Sequence, residues 1–265
     1  MRDNWKRRID RANELGRADP RGTALMTQYA ALLSAQATCY EALVRRGGRL
    51  TGSIDRDLAE LRGPAAAAFG TIRSSMPAQV AGAAPQDEAA IDDLLRAGWR
   101  ESSIPFVARI VLQPYAEALA ALASSISPAY ACRPNGRDLQ PTPGRATCPF
   151  CGGPPQVSVL RQDSSAEGGS RAVICSTCST DWQVRRILCT ACGEEDERRL
   201  HYFRAPEFEH MRVDACETCR HYLKAVDLTR LGLAVPVVDE VASAALDLWA
   251  AEHDYTKLTL NLIGL

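Results

Sequence analysis

Eight of the ten cysteines fall between positions 148 and 219, in four C-x-x-C pairs: Cys148/Cys151, Cys175/Cys178, Cys189/Cys192 and Cys216/Cys219. Cysteine at that spacing suits a metal. The tight turn lets two thiolates converge on one cation while nearby backbone N–H groups point at sulfur. Glycine just after the second cysteine, as at Gly152 and Gly193, relieves a left-handed turn position. Two such turns make a closed tetrahedral four-thiolate site, which zinc and a single iron both accept. Twenty-three residues separate the first pair from the second, and the third from the fourth, while only ten separate the second from the third. This is a duplication of one C-x-x-C-x23-C-x-x-C unit, offset by 41 residues. Cys148-Pro-Phe-Cys151-Gly152 falls on Cys189-Thr-Ala-Cys192-Gly193 at that offset, and Arg171 falls on Arg212. The spacing predicts two metal ions per chain, one per unit. Interleaved sites would use the same residues.

The rival readings of these pairs are disulfides and redox-active dithiols. Compartment decides against both. The start, Met1 to Asp10, has two acidic groups and no apolar core, so no signal peptide is expected. No run of about 18 apolar residues exists, so no membrane span is expected. The thiols then belong in a reducing cytoplasm, where metal thiolates prevail.

Several elements must position the cysteines. Trp5, Ile9, Ala12 and Leu15 recur at helical spacing over 5–15, and Gly16 is read as the stop. Thr23 to Arg46 is the clearest helix: Leu25, Tyr29, Leu32, Leu33, Gln36, Tyr40, Leu43 and Val44 form its stripe, with Gly47-Gly48 after it. Cys39 beside that stripe reads as a small buried hydrophobe. Short helices are expected over Ser53–Leu61 and Asp87–Ala97, with loop at 77–86. Ile104 to Ala123 is helical, and Pro114 should kink or split it. The stretch 128–147 is proline-rich, carries the unpaired Cys132 and reads as a linker. Short β-runs then follow, at Val157–Leu160, Arg171–Ile174, Trp182–Leu188, Arg199–Arg204 and Tyr222–Asp227, with hairpin tips at Asp163–Gly169 and Ala205–Glu209. Pro236 opens a last helix with Val237, Val241, Ala244, Ala245, Leu248 and Trp249 on its apolar face. The architecture expected is α+β: a helical domain over 1–127, the linker, four-cysteine ribbons over 148–188 and 189–227, and a docking helix and tail over 228–265.

Charge narrows the function. The whole chain carries a formal −1. Between Cys148 and Asp227 ten Lys/Arg face twelve Asp/Glu, and two tetrathiolate sites bring the region to about −6. Phosphate backbones need the opposite sign, so a zinc-ribbon nucleic-acid binder is disfavoured despite Arg185-Arg186 and Arg198-Arg199. Four cysteines leave no open coordination position for hydrolytic chemistry, and no nucleophile and base stand at a recognisable spacing. No enzyme is expected. His201, His210 and His221 read as surface or hairpin residues, since the cysteines fill the coordination.

Cys148-Pro-Phe-Cys151-Gly152-Gly-Pro-Pro155, Cys175-Ser-Thr-Cys178 with Trp182 after it, Cys189-Thr-Ala-Cys192, Leu200-His-Tyr-Phe203 and Cys216-Glu-Thr-Cys219-Arg-His-Tyr-Leu-Lys224 resemble the FdhE family of formate dehydrogenase accessory proteins. So does Val238-Asp-Glu-Val-Ala-Ser-Ala-Ala-Leu-Asp247. The resemblance covers about 148–255. It implies a cytoplasmic maturation factor that contacts the catalytic subunit of respiratory formate dehydrogenase before export. It also implies rubredoxin-like sites that favour iron, with zinc possible on ligand chemistry. A rubredoxin-like electron-transfer protein is the alternative. Tyr202, Phe203, Phe208 and His210, around the second hairpin, are the expected anchors of a client contact.

Overall fold

The computed structural model describes residues 3–20, 22–46, 106–126, 146–162 and 169–264. The short helices expected over 53–61 and 87–97, the loop at 77–86, Cys132 and nearly all of the linker lie outside them, as does most of the first hairpin tip. The chain divides into two compact units. One holds Met1–Leu139 with the turn segments Pro149–Gly153 and Thr177–Thr180, and the other holds Gln140–Cys148, Pro154–Ser176 and Asp181–Leu265.

Among the described residues the first unit holds α1 (Asp3–Ala18), α2 (Thr23–Arg46) and α3 (Phe106–Ile126). α1 does not stop at Gly16. It runs through that residue because a bare Cα lets α2 come close: a Cβ there would meet Met26 Cβ at 3.1 Å. The helix ends before Pro20, whose ring disfavours helical geometry at the preceding residue. The Thr23 hydroxyl donates to the carbonyls of Gly16 and Asp19 at 2.7 and 3.1 Å, tying the two helices at their turn. Trp5, Tyr29, Leu33, Cys39 and Tyr40 are buried in the core. Burial pushes the Cys39 thiol up to about 11, as befits an inert core residue.

Pro114 does not split α3, which is continuous through it. Proline has no N–H to give the Ile110 carbonyl one turn back. The Gln36 side chain of α2 supplies the missing donor at 2.8 Å, so no buried acceptor is left orphaned. Arg8 and Glu117 form a buried ion pair at 2.7 Å, and the Ser179 hydroxyl donates to the same Glu117 oxygen at 2.6 Å.

Seven strands form one sheet in the second unit: β1 (Pro155–Arg161), β2 (Ser170–Cys175), β3 (Asp181–Val184), β4 (Leu200–Phe203), β5 (Met211–Cys216), β6 (His221–Asp227) and β7 (Thr256–Lys257). Their order is β3-β2-β1-β6-β5-β4, with β7 also on β6. The duplication is thus structural: β2 and β5 sit at the same 41-residue offset as the cysteines. The two ribbons are not separate beads. β1 pairs in parallel with β6, Ser158 against Ala225 through Leu160 against Asp227, and fuses them. β3 ends at Val184, short of the expected Leu188, because Arg171 takes the next carbonyls. Its Nη1 donates to Leu188 O at 2.7 Å, with Arg186 O at 3.4 Å.

The last helix is broken at Ser243 into α4 (Pro236–Ala242) and α5 (Ala244–Glu252). Lys224 of β6 sits at the break, where its ammonium donates to the carbonyls of Glu240 and Ser243 and the Ser243 hydroxyl also donates to the Glu240 carbonyl. The apolar face predicted for one straight helix is therefore displaced. Leu246 and Ala250 are buried, while Ala245 is exposed and Leu248 is 63% exposed. α4 packs on β1 and β6.

Gly169 closes the first hairpin with φ of 81°, where a Cβ would lie 2.5 Å from the Arg161 carbonyl oxygen. Gly152 has φ of 73° with nothing within 4 Å of its Cβ position. Gly152→Ala should cost about 1–2 kcal/mol from backbone conformation alone. Gly169→Ala should cost more, because the carbonyl clash adds to a similar term. Urea unfolding of the two variants side by side checks the order.

Candidate metal centres

Each C-x-x-C turn must reverse the chain tightly enough to aim two sulfurs at one point. The residue after the second cysteine makes that reversal by adopting positive φ in all four turns: Gly152 at 73°, Ser179 at 53°, Gly193 at 81° and Arg220 at 57°. Glycine takes this geometry at no steric cost, whereas Ser179 and Arg220 need support. Ser179 is held by its bond to Glu117. Arg220 lies 4.0 Å over the Tyr255 ring, pairs with Glu217 at 2.5 Å and donates to the His253 carbonyl at 2.6 Å. Within the turns the amides of Cys192 and Ala191 bond to the Cys189 sulfur, and those of Cys219 and Thr218 to the Cys216 sulfur.

The sulfurs converge as two groups. Those of Cys148, Cys151, Cys175 and Cys178 lie within 4.8 Å of one another, and so do those of Cys189, Cys192, Cys216 and Cys219. The first pair of turns therefore joins the second, and the third joins the fourth; the sulfurs do not interleave. The separations fit a four-thiolate metal site. Cys189 Sγ is 3.7 Å from Cys219 Sγ, and Cys192 Sγ is 3.8 Å from Cys216 Sγ. Sulfurs bound tetrahedrally at about 2.3 Å from a metal stand about 3.8 Å apart. A disulfide needs about 2.05 Å. The donor set and the spacing fit one four-coordinate ion per cluster, so two clusters can hold two metal ions.

As thiols these groups crowd one another. Burial pushes Cys189 up to about 11 and raises Cys219 as well. Burial also acts to raise Cys216, but the Cys219 and Thr218 amides together with the Cys189 and Cys192 side chains outweigh it and hold that thiol below its ordinary value. A cation at the centre would favour the thiolate of all four.

The centres differ in their surroundings. Cys148, Cys151, Cys175 and Cys178 are all at most 2% exposed. In the second cluster Cys216 is buried, Cys219 is part-exposed and Cys192 is open to solvent. A cavity of about 570 Å³ adjoins it, with Cys189 and Cys216 in the wall. Arg171 and Arg212, matched by the repeat, both reach Asp214, at 3.5 and 2.6 Å. The Arg171 side chain, 4% exposed, also bonds Ser158 Oγ at 2.9 Å. Spacing revealed that these arginines correspond; it gave no sign that they share one carboxylate, because Asp214 falls on Val173 in the other unit.

The histidines are not ligands in either cluster. His210 bonds Asp239 at 2.9 Å, and His221 Nδ1 lies 2.9 Å from the Cys219 carbonyl. Of the four expected client anchors, Phe203 packs on Trp249 with ring centroids 4.6 Å apart, and Phe208 is half-buried. Tyr202 is 63% exposed. Among the described residues no helix is long and apolar enough to cross a membrane.

The family models described as "FdhE, central domain" and "FdhE, C-terminal domain" match residues 147–186 and 187–263. Proteins named "Protein FdhE homolog" from Aquifex aeolicus and Pseudomonas aeruginosa are 39% and 34% identical over 117 and 131 residues. Those matches cover 44% and 46% of this chain and 41% and 40% of the relatives, so the chain spans about two fifths of the length of the curated relatives it matches. A solved structure, the FdhE protein from Pseudomonas aeruginosa, superposes with a TM-score of 0.62 at 24% identity, covering 99% of this chain and 96% of that one. That likeness shares the fold. Residues 147–263 thus match the central and C-terminal domains of the FdhE family, and each matched domain carries one of the two four-cysteine clusters.

Proposed function

We propose that the protein is a cytoplasmic accessory factor in the maturation of respiratory formate dehydrogenase, and that it binds the catalytic subunit before export. The observation that carries this reading is the coincidence of the family match with two complete four-cysteine clusters over the same residues, 147–263. Cys148, Cys151, Cys175 and Cys178 hold one metal, and Cys189, Cys192, Cys216 and Cys219 hold the other. Family resemblance favours iron; zinc fits the same donors. Either ion supplies a fixed tetrahedral anchor, and iron adds a one-electron couple. The chain's own part is to keep the knuckles closed and to present a binding surface. With every coordination position filled by cysteine, the protein acts by binding and not by turnover.

Elemental analysis of protein purified without oxygen should give two metals per chain, with rubredoxin-like colour if the metal is iron. One metal per chain would refute the double site. The client surface is expected around the second hairpin, with Tyr202 as the solvent-facing anchor. Interface aromatics of this kind contribute about 2 kcal/mol or more. In a pull-down with the catalytic subunit, Tyr202→Ala should weaken capture at least tenfold at unchanged metal content. Full capture by Tyr202→Ala and Phe208→Ala would move the surface elsewhere. No capture by wild type would overturn the client assignment.

A further inference from the structure

We infer that the two centres are unequal: the second exchanges its metal with thiolate ligands from solution, while the first holds its metal closed. The inference rests on the metal reading above and adds a division of labour to it. Ligand exchange at a tetrathiolate ion needs an incoming donor to approach the metal as one cysteine leaves. The first centre offers no such approach, since each of its four cysteines is at most 2% exposed. Here the Gly153 amide donates to Cys151 Sγ at 3.4 Å, and the Thr180 hydroxyl lies 3.2 Å from Cys178 Sγ.

The second centre is open on two sides. Cys192 stands in solvent. Cys189 and Cys216 form part of the wall of the 570 Å³ cavity, room enough for a small thiol or a side chain. Arg171, Arg186 and Arg212 line that cavity together with Glu197 and Asp214. The step balances without a redox partner. With a metal bound, an incoming thiol would ligate it as its thiolate while the bond to Cys192 breaks, and the displaced Cys192 thiolate would take up the proton.

The test uses the full chain loaded with zinc, whose content is measured first. Two ions per chain are expected, and none would fail the metal reading itself. Competition with the chelator 4-(2-pyridylazo)resorcinol, in the presence of dithiothreitol, should then release zinc in two equal phases at least tenfold apart in rate. Cys192→Ser should lose the fast half and keep the slow half. A brief pulse of iodoacetamide on the wild-type zinc form, mapped by peptide mass, should label Cys192 before any cysteine of the first cluster. This arm needs no variant to fold. A single release rate for both ions, a fast phase that survives in Cys192→Ser, or first labelling at Cys151 or Cys178 would overturn the inference.

Discussion

Replacing Lys224 with methionine is expected to lower the unfolding free energy by about 3–5 kcal/mol, the cost of breaking a buried ion pair from one side. Lys224 and Glu240 are both fully buried, and their charged atoms lie 3.1 Å apart. Lys224 also reaches Asp247 at 2.6 Å, and Lys257 closes the square with contacts of 2.5 Å to Glu240 and 3.0 Å to Asp247. Asn261 Nδ2 donates to Glu240 at 3.1 Å and the Tyr222 hydroxyl to Asp247 at 2.8 Å, so the network ties β6, α4, α5, β7 and the tail together. Removing one cation leaves two carboxylates facing one lysine in a dry site. Methionine keeps the packing, which isolates the charge. Urea unfolding of the metal-loaded proteins measures the effect, and a loss below about 1 kcal/mol would show that Lys257 alone neutralises the site.

The same network sets an acid limb. Burial alone would raise Glu240, but Lys224 and Lys257 outweigh it and lower the carboxyl from 4.5 to about 2. A depressed carboxyl stabilises the fold above its unfolded pKa, and that stabilisation is lost as pH falls through the folded one. The stability difference between wild type and Glu240→Gln should therefore shrink between pH 4.5 and about 2. Comparing the two proteins cancels the acid loss of metal that both share.

Cys175→Ser, or stripping the metal, is expected to unfold the first ribbon while α1, α2 and α3 keep their helicity. Structural zinc in small domains contributes about 10–16 kcal/mol at neutral pH, far beyond what three short strands bury. α1 to α3 have a core of their own around Trp5, Tyr29, Leu33 and Tyr115. Because β1 pairs with β6, damage at the first centre should spread into the second ribbon's sheet. Limited proteolysis should leave a resistant helical fragment ending within 127–147, and circular dichroism should show strand signal lost before helix. Digestion of the whole chain at one rate would show that helices and ribbons fold as a single cooperative body.

The sequence by itself determined how the eight cysteines group. Cysteine spacing is local: a C-x-x-C turn fixes where two sulfurs go within four residues, and equal spacers of 23 residues leave first-with-second and third-with-fourth as the simplest closure. The helix over Thr23–Arg46 was equally legible, because an apolar stripe and a flanking Gly-Gly are properties of one segment. Tertiary structure decided what depends on residues far apart. Pro114 stays within one helix because Gln36, 78 positions earlier, supplies the donor its neighbourhood lacks. The last helix breaks at Ser243, where Lys224 on another strand donates to the Glu240 and Ser243 carbonyls. Nothing in either ribbon announces that β1 will pair with β6, since an unpaired strand edge carries no mark of its partner. The inequality of the two centres follows the same rule. Their ligands match position for position across the repeat, while burial and the adjoining cavity depend on what the rest of the fold packs around each one.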